Sequence, residues 1–195
     1  MLIPSVEQGL EKLLRTSIPL PEELGDISFD APSGAWGASL SRLTVNLFLY
    51  EVSRSSQPPR PASERVGPDG RTERRAPLPM VQLDYLVSAW AGNTRDEHAL
   101  LGDVLSCLLL NQVLAPEHLE RPVASTVQLA VGRNEAIRPK DVWSGVEGKL
   151  RASFPLTVTL ALDTLGWEPL APRVARIEAL TAPRPTERDR VGDTV

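Results

Sequence analysis

Cysteine occurs once in the 195 residues and histidine only twice. No apolar run approaches the roughly 20 residues that a membrane-spanning helix needs. The single Cys107 rules out an intrachain disulfide, and its place in an apolar stretch predicts a buried, inert thiol. Two histidines leave little for metal binding. His98 stands in Asp96-Glu97-His98, but consecutive helical residues point about 100° apart and cannot grip one ion, whereas i, i+3 and i+4 neighbours can. His118 has no ligand partner at helical spacing and reads as a surface residue. There is no G-x-S-x-G elbow, no P-loop and no G-x-G-x-x-G turn. Asp26 and Asp30 bracket a short strand and read as turn residues rather than an acid-base pair. Positive charge is also short: a net charge of -4 and a pI near 5.3 exclude a nucleic-acid binder that relies on bulk charge. Glu7, Glu11 and Lys12 interrupt any apolar leader, so the expectation is a chain without an export signal, cytoplasmic, and with no cofactor or metal. The composition does not read as that of an enzyme; a hydrolase would need convergent titratable groups that the sequence does not offer.

What is present centres on Leu78 to Leu114. Met80 to Trp90 is rich in branched and aromatic residues and predicts a long strand, with Leu83, Tyr85 and Val87 on one face and Gln82 and Asp84 on the other. Thr94-Arg95-Asp96-Glu97 matches a capping box with Thr94 as the cap. The helix that follows carries Leu100, Leu101, Val104, Leu105, Cys107, Leu108, Leu109 and Leu110 with Asp103 as its only charge. That pattern predicts a helix packed on more than one side, with Leu105 and Leu108 against the strands of Leu47 and Leu83.

The flanking chain supplies the rest of an α+β domain, a mostly antiparallel sheet covered by helices. Ser5 with Gln8 predicts a helix start, followed by Val6, Leu10, Leu13 and Leu14 on one face. Ile27–Phe29 predicts a short strand, Ala31–Gly37 a loop carrying Trp36, and Leu43–Val52 a second long strand with Val45, Leu47 and Leu49 on one face. Pro116–Leu119 predicts a helical turn, Thr126–Val131 a strand, and Pro139–Trp143 a short helix with Val142, Trp143 and Val146 inward. Phe154–Leu165 predicts the last long strand and Arg173–Leu180 an edge strand. Residues 1–167 thus form the domain, and 168–195 a Pro-rich tail.

Ser53–Pro77 differs in character. It holds six arginines, Arg54, Arg60, Arg65, Arg71, Arg74 and Arg75, against three acids, with five prolines. Nothing in it builds a core, so it predicts a mobile arm or extended hairpin over about 53–77, with Pro68-Asp69-Gly70 at the tip. The arginines are the candidate partner-binding residues, because guanidinium groups bind carboxylates bidentately.

The ordered set Ile27-Ser28-Phe29-Asp30-Ala31-Pro32, Trp36–Leu40, Val45–Val52, Leu83–Trp90 and Asp96–Gly102 resembles the N-terminal domain of tail-terminator (cap) proteins of contractile injection systems, of the antifeeding-prophage and virulence-cassette type. The resemblance covers about residues 1–165. It implies a fold similar to phage tail terminators and a structural role. A hexameric ring would end polymerisation of the inner tube and anchor the last sheath ring in an assembled phage-tail-like particle. It supplies no catalytic residues. The alternative from the residues themselves is an adaptor or peptide-binding module that uses an exposed sheet edge.

Overall fold

The computed structural model describes residues 2–121, 123, 125–132, 138–163 and 165–171. Its chain order is α1 (Leu2–Ser17), β1 (Gly25–Ser28), α2 (Gly34–Ser39), β2 (Leu43–Arg54), β3 (Ser63–Val66), β4 (Thr72–Arg75) and β5 (Met80–Trp90). Then come α3 (Thr94–Leu110), β6 (Val113–Leu114), a 3-10 turn (Pro116–His118), β7 (Val127–Val131), α4 (Pro139–Gly145), β8 (Ser153–Ala161) and β9 (Glu168–Pro169). The Pro-rich segment past Ala171 and the edge strand expected at Arg173–Leu180 lie outside the described residues.

Six strands form the main sheet in the order β1-β2-β5-β8-β7-β6. Only β1 runs parallel to its neighbour, so the sheet is mostly antiparallel, as the α+β expectation has it. The alternation expected for β5 and β2 sorts the two faces. Val45, Leu47, Leu83, Tyr85, Val87 and Ala89 turn toward α1 and α3, where Val6, Leu10, Leu14, Val104 and Leu108 complete the main core. Leu86 and Trp90 turn the other way, against Val142 and Trp143 of α4 with Trp36, Phe48 and Tyr50 beside them. A bulge at Tyr50, between the pairs Leu49↔Tyr85 and Glu51↔Asp84, re-phases the end of β2. Asp84 is fully buried, accepting from Thr157 Oγ1 at 2.6 Å and Gln82 Nε2 at 2.8 Å.

Four local expectations give way to better-satisfied alternatives. Asn93, not Thr94, caps α3: it is extended at φ -148, and its side chain accepts from Asp96 N at 3.0 Å. Asn-x-x-Asp meets the orphan amide of Asp96, one residue before the Glu97 amide that Thr94 would have met, and Asn ranks at least level with Thr as a cap. α1 begins at Leu2 rather than at Ser5, since Pro4 in the first turn removes an amide that would have no partner there. The loop around Trp36 is a helix, because Ser33 accepts from Trp36 N at 3.2 Å and starts α2. Gly37 lets α2 lie on Trp90: a Cβ there would sit 2.3 Å from the indole. Finally, α3 packs on one side only. Leu100, Val104, Cys107 and Leu108 are buried, Leu105 is half-buried, and Leu109 and Leu110 are exposed.

Candidate assembly surface

The 53–77 segment folds back as the expected hairpin. β3 and β4 pair antiparallel through Ser63↔Arg75, Glu64↔Arg74, Arg65↔Glu73 and Val66↔Thr72. At the tip, Gly70 takes φ 76, a left-handed value glycine adopts without strain, and Asp69 Oδ1 accepts from Arg71 N at 3.0 Å. At the root, Arg60 and Leu78 exchange backbone bonds at 2.9 and 3.0 Å, and Leu78 is buried with Met80 and Ala161. The hairpin is therefore rooted in a small core of its own.

It is also held from the far end of the chain. β9 adds to β4 as the third strand of a small sheet. The register then fixes two faces. On one, the Trp167 ring lies 4.3 Å from the Arg65 guanidinium and 4.8 Å from that of Arg75. Arg65 pairs with Glu73 at 2.8 Å and Arg75 with Asp163 at 2.9 Å. On the other face Glu64, Arg74 and Glu168 stand in one row across the three strands, with Val66 and Thr72 in the next. Arg71 sits at the exposed tip, 3.7 Å from Asp69. Arg54 ends β2 and Arg60 marks the root; both are exposed.

The structure thus brings Arg65, Arg74 and Arg75 onto one small sheet, with Arg71 at its turn and Arg54 and Arg60 apart at its base. Sequence reasoning missed the downstream residues that the hairpin meets. Asp163, Trp167 and Glu168 lie some 90 positions downstream of the hairpin, in and just before a two-residue strand with no periodic signal.

At the opposite end of β5 a second constellation is built. Trp90 meets Trp36 edge-on at 5.1 Å and Trp143 at 6.1 Å. The Arg151 guanidinium lies 4.1 Å over Trp90 and is bonded to Glu97, which is free for this because Asn93 does the capping. Beside it opens a cleft of about 510 Å³ lined by Gly92, Thr94, His98, Lys149, Leu150 and Arg151.

The titratable groups that depart from ordinary behaviour do not meet at one place suited to catalysis. Burial pushes Cys107 up, opposed by bonds to Ser17 and Asn111. Burial also raises Glu7, and it raises Tyr85, to which the Glu7 charge adds. Asp26 is bonded to Arg42 at 3.0 Å, and Asp30 accepts from the Trp36 indole at 3.2 Å. Among the described residues no group of three or more His, Cys, Asp or Glu is placed to hold a metal. No described helix is long and apolar enough to cross a membrane.

Known folds match this arrangement. The structure of an extracellular contractile injection system sheath/tube terminator in its extended state superimposes with a TM-score of 0.66 at 19% identity, over 97% of this chain and 66% of that one. The anti-feeding prophage tube-terminating cap does so with a TM-score of 0.64 at 18% identity, over 93% and 62%. The chain therefore spans somewhat less than two thirds of either terminator, and at these identities the likeness establishes the fold. No curated protein matches the sequence. The profile of the Pvc16 N-terminal domain matches residues 5–176, nearly the whole described chain, and the protein belongs to that family.

Proposed function

We propose that this chain is a structural terminator, or cap, of a contractile injection system: it ends the inner tube and anchors the last sheath ring. One observation carries the reading. The family match extends over residues 5–176, and the fold resembles that of two tube-terminating proteins over more than nine tenths of this chain. A structural role agrees with the chemistry described above, in which Asp26, Glu73, Glu97 and Asp163 are each tied to an arginine.

Such a cap acts as a closed ring of copies, which we take to be a hexamer, assembled in the cytoplasm on tube and sheath proteins. Ring closure needs head-to-tail contacts related by rotation. The exposed arginines Arg54, Arg60, Arg71 and Arg74 of the hairpin are proposed to meet an acidic partner surface, and Arg65 and Arg75 to hold the hairpin in place for it.

The test is particle length. Particles assembled without this chain, measured by negative-stain electron microscopy, should show tubes and sheaths of uncontrolled length or an end without a cap, with the baseplate intact. A normal length distribution and a normal distal end would remove the terminator reading.

A further inference from the structure

Two patches at opposite ends of α3 complement each other. At its C-terminal end Leu109 is 53% exposed, Leu110 84% and Val113 45%. Single exposed leucines are ordinary, but three large apolar side chains within five positions form a patch of the kind interfaces cover. Its surroundings are acidic. Asp103 to Glu120, from the middle of α3 past its end, holds three carboxylates and no lysine or arginine, and the exposed Arg121 follows. Asp103, Glu117 and Glu120 are exposed, and the last carbonyls of α3 add partial negative charge.

The N-terminal end, about 25 Å away for a 17-residue helix at roughly 1.5 Å per residue, has the opposite character. There the 510 Å³ cleft opens beside Leu150, which is 68% exposed between Lys149 and Arg151. Two cations, Lys149 and Arg151, line the cleft against the one carboxylate of Glu97. Arg151 is fixed by Glu97 and Trp90 and forms a firm wall. Lys149 is exposed and has no ion pair among the described residues. The first-turn amides of α3 add partial positive charge on this side.

We infer that the two patches are the halves of one contact between copies of this chain: Leu109, Leu110 and Val113 of one copy seat against the Leu150 cleft of the next. The inference rests on the ring reading above and names its interface. Apolar surface is covered on both sides, and the acidic surround of one patch faces the basic surround of the other. Like-to-like pairing would set acid against acid or base against base, so charge selects the head-to-tail arrangement. Because the halves lie at different places on the chain, the contact repeats from copy to copy and closes when the rotation allows.

The experiment uses the full chain and two variants at exposed positions, Leu110→Asp in the patch and Lys149→Glu in the cleft, with unchanged thermal midpoints showing intact folds. Size-exclusion chromatography with light scattering should give closed oligomers for the wild type and monomers for each variant alone. An equimolar mixture of the two should give dimers and nothing larger, because only one intact patch and one intact cleft can meet. Variants that still form rings overturn the interface and leave the ring reading standing. A mixture that stays monomeric or regains rings also overturns the interface, as does a wild type that stops at a dimer. A wild type that is monomeric at every concentration overturns both.

Discussion

Arg75 donates to Asp163 at 2.9 Å across 88 residues of chain, and its side chain is only 13% exposed. That bond, with Trp167 stacked beside it, ties the hairpin to the chain that follows β8. The hairpin is thus a docked element, whereas its composition alone reads as an arm that buries nothing.

Trp167→Ala removes the ring shared by two guanidinium groups, each such contact being worth about 0.5–1 kcal/mol at exposed sites. The expected result is local: faster amide exchange and faster proteolysis within residues 63–75, with the main-sheet amides unchanged. Equal protection of the hairpin in both proteins would mean that β9 alone holds it.

Asn93→Ala should lower the stability of the fold by about 0.5–2 kcal/mol, while Thr94→Ala should leave the urea midpoint nearly unchanged. The two variants differ by one position, so the pair discriminates the cap directly. A larger loss at Thr94 would move the start of α3.

The strand pattern was legible because Met80–Trp90 is rich in branched and aromatic residues, with Leu83, Tyr85 and Val87 alternating against Gln82 and Asp84. Helix ends were less so, since Asn93 and Thr94 both satisfy cap chemistry and only the backbone decides. The exposed face of α3 was illegible in principle. Leu109 and Leu110 look like core residues to any rule based on hydropathy, yet no described residue buries them. The hairpin's tip could be read from Pro68-Asp69-Gly70, but its tether could not, because Trp167 and Asp163 are brought near only by the fold.

Leu108→Ala should cost about 2–5 kcal/mol, as for a fully buried leucine, and Leu105→Ala less than half of that because Leu105 keeps solvent contact. Chemical denaturation checks the ratio. Equal losses would mean that α3 is covered on its outer side as well.

Glu7 supplies a pH prediction. Burial raises its carboxyl above the ordinary 4.5, so the folded state holds the proton more tightly than the unfolded chain. Stability from this group is fully present below the unfolded value and is lost as pH rises through the folded one. Glu7→Gln should therefore raise the thermal midpoint at pH 7, and the gain should vanish below about pH 4. A variant less stable than the wild type at pH 7 would overturn the assignment.

The last prediction separates the arginines by what they touch. Arg54 and Arg60 are exposed and carry no ion pair among the described residues, and Arg71 reaches only Asp69 at 3.7 Å. Arg75, by contrast, is engaged with Asp163 and Trp167. Exposed ion pairs are worth only about 0–1 kcal/mol each, so a single replacement should pass unnoticed. Arg54, Arg60 and Arg71 changed together to alanine should weaken docking to assembled particles, more so at high salt where the remaining charges are screened. The unfolding midpoint of the free chain should stay where it is. Arg75→Ala should do the reverse, loosening the hairpin in the free chain and lowering docking only through that disorder. Docking that survives the triple change at every salt concentration would make the hairpin a passive part of the fold and leave the contact to other surfaces.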